Sequence, residues 1–242
     1  EKEEPTFELS MYYLNFFYKS SNNVFSLKYS GEPITLYSNS HYLINGPSGS
    51  GKSTFLKIVR GIIPLNMFKE GDENKNNIKL TITFKDEDEK DIMFSNLSSS
   101  ICYCQQNSLS FVGGTIKQIL TDDYVTNDFD KDNIDIMNKA LAVACVDLKF
   151  RNLEFKCSKD TISGGQKQRV TLAKNLYRIL KEDKQIIVLD EIDTGLDIQT
   201  AEKVIINLNI LFKEKMLLIV LHTEELKHLF KNKINIFDGI IS

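Results

Sequence analysis

The nine residues Gly46-Pro-Ser-Gly-Ser-Gly-Lys-Ser-Thr54 decide the fold of this chain. They fit the pattern G-x-x-x-x-G-K-S/T, whose glycines let successive backbone N–H groups turn toward phosphate oxygens. A short apolar segment, Tyr42–Ile44, precedes the loop, and a helical pattern from about Lys52 to Arg60 follows it. In such a strand–loop–helix unit the N-terminus of the helix binds phosphate. The sequence therefore predicts a phosphate-binding loop on an α/β fold.

The residues of this loop have distinct expected roles. Lys52 is expected to reach the β- and γ-phosphates of ATP, and the Ser53 hydroxyl to bind Mg²⁺. The residues expected to surround the phosphates are Gly46, Ser48, Gly49, Ser50, Gly51, Lys52, Ser53 and Thr54.

A second stretch, Ile186-Ile-Val-Leu-Asp190-Glu191, predicts a buried strand that ends in two carboxylates. Open α/β sheets bind their ligands at the carboxyl ends of the strands. Asp190 is expected to orient Mg²⁺ or its water, and Glu191 to polarise the water that attacks the γ-phosphate. Apolar residues followed by acids are common, so this prediction depends on the phosphate-binding loop.

The order of elements predicts an α/β fold with a mainly parallel sheet. After Ser163, helical and strand patterns alternate, as they do in parallel sheets covered on both faces. The N-terminal part alternates aromatic and polar residues, which favours antiparallel strands with turns at Ser20–Asn23 and Gly31–Pro33. From Thr115 to Phe150 the pattern is helical, with Asp132 as an expected N-cap. We therefore expect a P-loop ATPase core, an N-terminal antiparallel β subdomain and a helical insert subdomain.

Composition argues against several classes of protein. The net charge of −3 over 242 residues gives no basic face, so we expect no nucleic-acid partner. No apolar run approaches the ~20 residues that span a bilayer. The four cysteines lack the spacing of a disulfide framework, which suits a reducing compartment. The chain begins with neither methionine nor a signal peptide, so we expect it to be part of a longer protein.

A third motif, Ile162-Ser-Gly-Gly-Gln166, lies before the acidic strand. Two glycines at the start of a helix, after a hydroxyl group, form a second place where backbone N–H groups bind an anion. A chain with one phosphate-binding loop needs no second one unless it serves another nucleotide. The motif, followed by Lys167-Gln168-Arg169, resembles the signature sequence of ABC ATPases, and the chain resembles an ABC transporter nucleotide-binding domain.

This resemblance implies a head-to-tail dimer in which each signature caps the ATP of its partner. The signature residues implied to contact the partner's ATP are Ser163, Gly164, Gly165 and Gln166. The partner would be a second nucleotide-binding domain, identical to this chain or different from it.

The resemblance also implies roles for residues outside these motifs. Tyr18 lies where the family has an aromatic residue that stacks on adenine, although a tyrosine in the core of a strand is an alternative. Gln106 resembles the Q-loop glutamine that reaches Mg²⁺ and the attacking water, with Gln105 as the competing choice. Asp197 resembles the D-loop residue at the dimer interface, and His222 the switch histidine that contacts the γ-phosphate.

The resemblance covers nearly the whole chain and divides it into subdomains. Residues 1–104 and 183–242 would form the core with its β subdomain, and about 107–182 the helical subdomain that carries the signature. The stretch Phe111–Ile119 is similar to exporters, including multidrug-type pumps. However, Glu154–Thr161 lacks their Gly-Glu pattern, and Ile192-Asp193 stands where the family has a proline. These departures leave the nucleotide chemistry intact.

The function implied is that of an ATP-hydrolysing motor domain of an ABC transporter. Its partners would include the transmembrane domains of a longer protein, which would hold it at the cytosolic face of a membrane. The alternative is a soluble ABC ATPase of the translation-associated or DNA-repair type. The DNA-repair type requires a long coiled coil between Gln106 and Ser163, where the sequence shows no heptads. A catalytically silent scaffold is disfavoured by the intact Lys52, Asp190, Glu191 and His222.

Overall fold

The computed structural model describes residues 6–19, 24–63, 77–84, 90–91, 99–105, 113–125, 129–158 and 161–242. The strands are β1 (Phe7–Lys19), β2 (Val24–Tyr37), β3 (His41–Asn45), β4 (Asn77–Phe84), β5 (Lys90–Asp91), β6 (Ile101–Gln105), β7 (Gly114–Thr115), β8 (Lys156–Cys157), β9 (Ile186–Asp190), β10 (Met216–Val220), β11 (Asn232–Phe237) and β12 (Ile240–Ile241). The α-helices are α1 (Lys52–Val59), α2 (Ile116–Thr121), α3 (Lys131–Val143), α4 (Gly164–Glu182) and α5 (Ile198–Leu211), with 3₁₀ helices at Leu148–Phe150 and Glu224–Leu229.

Within these ranges, ten strands form one sheet in the order β5-β4-β1-β2-β12-β11-β3-β10-β9-β6. The strands β11, β3, β10, β9 and β6 are parallel. At the other end β1, β2, β4 and β5 pair antiparallel, and β12 joins the two parts. The predicted α/β fold with a mainly parallel sheet and an N-terminal antiparallel region is confirmed.

The central strands are apolar along their whole length because both faces of the sheet are covered. All five residues of β9 and of β10 are buried. Alternate residues of a strand point to opposite faces. In β9, Ile187 and Leu189 pack with the helical layer α2–α5, whereas Ile186 and Val188 pack with α1, β1 and β2. The sheet therefore separates two apolar cores.

Helix α4 connects the helical layer to the sheet. It runs for 19 residues and packs against α2, α3 and β6. Val170, Ala173 and Tyr177 recur at helical spacing on one buried stripe, and Leu172, Leu176 and Ile179 on a neighbouring one. A helix buried along two stripes is held firmly, so its N-terminus and the strand β9 that follows it are parts of one packed unit.

The structure corrects the predicted turn at Gly31–Pro33. Strand β2 continues through this segment, and its pairing with β1 shifts instead: Met11 pairs with Ile34, and Tyr13 with Ser30. Three residues of β2 thus lie opposite one residue of β1, which is a bulge. Proline has no N–H to donate to a ladder and is tolerated at such an irregularity. The other predicted turn, Ser20–Asn23, lies outside the described residues.

Two boundaries near helices also differ from the sequence prediction. The N-cap of α3 is Asp130 instead of Asp132, because Asp130 Oδ1 accepts the N–H of Asn133 at 2.7 Å. The last helical pattern in the alternation after Ser163 forms only a short 3₁₀ helix, Glu224–Leu229. It ends at Leu229 because Phe230 is extended and leads into β11.

Candidate functional site

Three neighbouring parallel strands end at the same edge of the sheet. Strand β10 lies between β3 and β9. The phosphate-binding loop follows β3, Asp190 ends β9, and His222 lies two residues after β10. The carboxyl ends of parallel strands lie side by side, so these three segments meet at one edge, as ligand sites of open α/β sheets do.

The backbone of the predicted phosphate-binding loop requires glycine. Gly46 has a φ of 152° and Gly51 a φ of 113°, both in the region that favours glycine. A Cβ on Gly46 would collide with the carbonyl oxygen of Ile236 in β11 and would lie 2.7 Å from Ser50 Oγ. The loop is therefore packed closely against the neighbouring strand, and α1 begins directly after it at Lys52.

Lys52 lies over this loop among charged side chains. Its Nζ donates to the carbonyl oxygens of Gly46 at 2.7 Å and Pro47 at 2.8 Å. Burial and the nearby Lys227 lower the pKa of Lys52, while Glu191, Asp190 and Glu224 act in the opposite direction. Carboxylates from the end of β9 therefore lie within electrostatic range of the lysine.

One buried polar atom in the phosphate-binding loop indicates that the loop binds a ligand. Ser50 Oγ is buried and has no hydrogen-bond partner, and a buried hydroxyl left unpaired costs free energy. A phosphate oxygen could accept from it and from the Lys52 ammonium. The loop thus fits the anion that its sequence predicts.

Asp190 is held by a tyrosine that the sequence analysis did not single out. The Asp190 side chain is 4% exposed, and its Oδ2 accepts a hydrogen bond from Tyr103 Oη at 2.9 Å. The Arg60 guanidinium lies 3.3 Å from the centre of the Tyr103 ring. Burial and the bond to Asp190 raise the pKa of Tyr103, so it remains a donor. Tyr103 therefore orients the carboxylate predicted to act near Mg²⁺.

Glu191 and His222 are both exposed at this edge. Glu191 has a φ of 53°, unusual for a residue with a side chain, and its N–H donates to Val220 O at 3.0 Å. The backbone N–H of His222 donates to the carboxylate of Asp193, at 3.0 and 3.1 Å. Lys227 Nζ donates to Asn45 Oδ1 at 3.0 Å, beside the phosphate-binding loop. Asp193 and Lys227 were also missed by the sequence analysis.

The N-terminus of α4, which carries the signature motif, is open to solvent. Ser163 caps α4, with its Oγ accepting the N–H of Gln166 at 3.4 Å. Ser163, Gly164 and Gly165 are exposed, and a Cβ on either glycine would meet nothing within 4 Å. Gln166 differs, since its side chain is buried and accepts the N–H of Asp147. In the part of the chain that the structure describes, no hydrogen bond or ion pair joins this motif to the phosphate-binding loop.

The remaining predicted residues are Asp197, Tyr18 and Gln106, with Gln105 as the alternative to Gln106. Asp197 caps α5, where the hydrogen bonds from Thr200 lower the pKa of its carboxyl. Tyr18 pairs with Phe25 along β1 and β2, and its side chain lies outside the described residues, as does Gln106. Gln105, the alternative, is exposed at the end of β6.

The donor set at the strand ends suits a magnesium ion that is bound mainly through phosphates. Such an ion takes one or two protein oxygens, and the Ser53 hydroxyl and the Asp190 carboxylate are available. Among the described residues, no group of three histidine, cysteine or acidic residues could hold a metal without help from a ligand.

Across the described residues, no helix has both the length and the apolar character that a membrane span requires.

Comparison with known proteins identifies the family. The sequence model of the ABC transporter family matches residues 31–194, more than half of the chain. An ABC transporter ATP-binding protein/permease of Acanthamoeba polyphaga mimivirus is 31% identical over 232 residues, which is 93% of this chain and 40% of that protein. The microcin-J25 export ATP-binding/permease protein of Escherichia coli is 27% identical over 221 residues, 90% of this chain and 34% of that protein.

Solved structures agree on the fold. An ATP-binding cassette solved as a dimer with ADP and Pi has a TM-score of 0.64 at 22% identity, covering 97% of this chain and 96% of that one. A bacterial Atm1-family ABC exporter with ATP bound has a TM-score of 0.61 at 19% identity, covering 100% of this chain and 38% of that one.

The fold and the strand-end site define a P-loop ATPase. The family match specifies this class further: the chain belongs to the ABC transporter family and is similar to the ATP-binding domains of exporters, whose characteristic reaction is ATP hydrolysis. It spans less than half the length of the mimivirus and microcin relatives.

Proposed function

We propose that this chain is the motor domain of an ABC transporter. It binds Mg-ATP at the carboxyl ends of β3, β9 and β10 and hydrolyses it when the signature of a second nucleotide-binding domain closes over the nucleotide. One observation carries this proposal. The signature is an exposed helix N-terminus, suited to an anion, yet among the described residues no hydrogen bond or ion pair joins it to the phosphate-binding loop of its own chain.

The strand-end residues have distinct proposed roles. Lys52 binds the β- and γ-phosphates, and Ser53 and Asp190 hold Mg²⁺ together with Gln106. When bound, Mg²⁺ would neutralise negative charge that develops on the transferred phosphoryl group. Glu191 accepts the proton of the attacking water. Glu191 is exposed, and its charge favours the protonated form of the nearby Lys52, which supports this role.

Further residues complete the proposed nucleotide site. The loop residues that surround the phosphates are Gly46, Ser48, Gly49, Ser50, Gly51, Lys52, Ser53 and Thr54. The signature residues given to the partner's nucleotide are Ser163, Gly164, Gly165 and Gln166, the last through its backbone since its side chain is buried. Tyr18 stacks on adenine, His222 contacts the γ-phosphate, and Asp197 lies at the dimer interface.

We also propose partners beyond a second nucleotide-binding domain. The mimivirus and microcin relatives are named ATP-binding protein/permease, and this chain matches 40% and 34% of their lengths. Transmembrane domains of a longer protein would therefore hold this chain at the cytosolic face of a membrane and convert dimer closure into transport. Residues 1–104 and 183–242 would form its core and β subdomain, and about 107–182 the helical subdomain.

The substitution Glu191→Gln tests the proposal. It keeps the size and hydrogen bonding of the side chain but removes the base, so ATP should stay bound and hold two chains together. We expect this variant to be monomeric alone, dimeric with Mg-ATP and monomeric again with ADP, because a ligand that binds only the dimer favours it by mass action. Size-exclusion chromatography with light scattering measures these states.

Wild-type protein is the control, and it should show little dimer at steady state because turnover removes the bridging nucleotide. A Glu191→Gln variant that hydrolyses ATP at the wild-type rate would exclude Glu191 as the base. The Glu191→Gln variant could bind ATP but form no homodimer. If the wild-type protein then gains turnover on addition of a different nucleotide-binding domain, the physiological dimer is a heterodimer.

A further inference from the structure

A buried carboxylate joins two loops at the strand ends. Asp193 follows Glu191 by two residues and is 2% exposed. Its Oδ1 accepts the N–H of His222 at 3.0 Å, and its Oδ2 accepts the N–H of Thr223 at 2.7 Å and that of His222 at 3.1 Å. Side chain and backbone thus connect the segment after β9 with the segment after β10.

The contacts of Asp193 suit a side chain that only accepts hydrogen bonds. All the donors are backbone N–H groups, so both carboxyl oxygens act as acceptors. Hydrogen bonds from N–H groups to a charged oxygen are about twice as strong as those between neutral groups. A carboxylate removed from water without partners would be costly. Asp193 and the two N–H groups therefore hold each other in place.

The segment that carries Asp193 is itself fixed. The N–H of Glu191 donates to Val220 O at 3.0 Å, and the N–H of Thr194 donates to Glu191 O at 3.2 Å. The N–H of Leu196 donates to the carbonyl of Asp193 at 3.1 Å. Asp193 therefore lies in a hydrogen-bonded turn and supports the backbone of the exposed His222.

We propose that Asp193 is a positioning residue for ATP hydrolysis. Its carboxylate fixes the backbone at His222 and Thr223 and so keeps the His222 ring at the same edge as Glu191. This inference rests on the proposed contact of His222 with the γ-phosphate. Asp193 lies in the segment that also carries Glu191, the proposed base, so the histidine and the base share one hydrogen-bonded support.

The test compares Asp193→Asn and Asp193→Ala with Asp183→Asn in the 242-residue chain. Asparagine keeps the size but places an NH₂ donor opposite a backbone N–H, and alanine leaves both N–H groups unpaired. Asp183 is an exposed residue at the far end of α4, so its substitution is a matched loss of one carboxylate. For each variant one measures ATPase kcat and KM, thermal unfolding, and hydrogen exchange at the His222 and Thr223 amides.

We expect Asp193→Asn to lower kcat by about tenfold and to change KM for ATP by less than about threefold, the pattern of an interaction needed only in the transition state. Exchange at the two amides should rise. The chain has three histidines, so the NMR signal of the His222 ring should shift while those of His41 and His228 stay in place. Asp183→Asn should leave all of these at wild-type values.

Two outcomes would overturn the inference, and a further variant separates them. If His222→Ala lowers kcat but folded Asp193→Asn and Asp193→Ala do not, Asp193 only stabilises the fold. If His222→Ala leaves kcat unchanged, the proposed role of His222 is wrong and the positioning role of Asp193 falls with it. Should Asp193→Ala fail to fold, Asp193→Asn, whose side chain has the same shape, still decides the question.

Discussion

The chain carries two glycine-containing loops that each precede a helix N-terminus, yet their surroundings are opposite. At the strand ends, Gly46 packs against β11, Lys52 covers the loop, and neighbouring loops are tied by Asp193 and Lys227. At the signature, Ser163, Gly164 and Gly165 are exposed, and a Cβ on either glycine would meet no atom within 4 Å. The first loop is packed against its own chain at Gly46, whereas the second is exposed to solvent.

This difference shows that the two motifs need glycine for different reasons. Gly46 needs it because a positive φ and a close strand leave no room for a side chain. The signature glycines have room for a side chain, so folding of this chain does not account for them. A close approach by a ligand would, which is the role that the composite site gives them.

The largest expected effect is a difference between the two motifs in their contribution to the ATP affinity of the monomer. Lys52→Ala should lower the ATP affinity of the monomer by more than about tenfold, because charge-assisted contacts to phosphate dominate such sites. Ser163→Ala should leave the monomer's affinity unchanged, since the signature serves the other nucleotide. Titration with a fluorescent ATP analogue at low protein concentration measures both. Equal losses in the two variants would mean that one chain forms the whole site by itself.

A smaller effect concerns stability, measured with the same substitution in each motif. Gly46→Ala should cost roughly 2 kcal/mol or more, because the backbone is strained for alanine and the neighbouring strand must shift. Gly164→Ala should instead stabilise by up to about 1 kcal/mol, since alanine is a better helix former and meets no neighbour.

Thermal unfolding without nucleotide measures both the expected loss and the expected gain of stability. For a domain of this size the midpoint should fall by roughly 4–8 °C or more for Gly46→Ala and rise by up to roughly 2–4 °C for Gly164→Ala. If Gly164→Ala destabilised the chain as much as Gly46→Ala, the signature would be packed against the protein and the contrast would be wrong.

The parts of the molecule that sequence reasoning predicted are those whose residues are adjacent in the chain. The phosphate-binding loop, the strand that ends in Asp190 and the capped start of α4 each follow from a short run of residues. Alternation of strands and helices after Ser163 was enough to predict the parallel sheet. Roles that depend on alignment, such as those of Tyr18 and Gln106, remain predictions.

The missed residues act over long distances in sequence. Tyr103 and Asp190 are 87 positions apart, Asn45 and Lys227 are 182 apart, and Asp193 lies 29 before His222. Asp193 bonds to backbone N–H groups, which every residue except proline carries, so no side-chain pattern marks its partner. The sequence contained one signal, an aspartate in the segment where the family has a proline, but only the fold shows what it contacts. The bulge at Gly31–Pro33 escaped prediction because strand register depends on the partner strand.

The most direct test of the composite site combines Glu191→Gln with Gly165→Asp. An aspartate in the first turn favours the isolated α4 helix through its dipole, and Gly165 has room for it, so the monomer should fold and bind ATP as the Glu191→Gln protein does. The same charge would repel a partner's triphosphate. Light scattering with Mg-ATP should therefore show a dimer for Glu191→Gln alone and a monomer for the double variant. An equal amount of ATP-dependent dimer in both would contradict the claim that the signature of one chain completes the site of another.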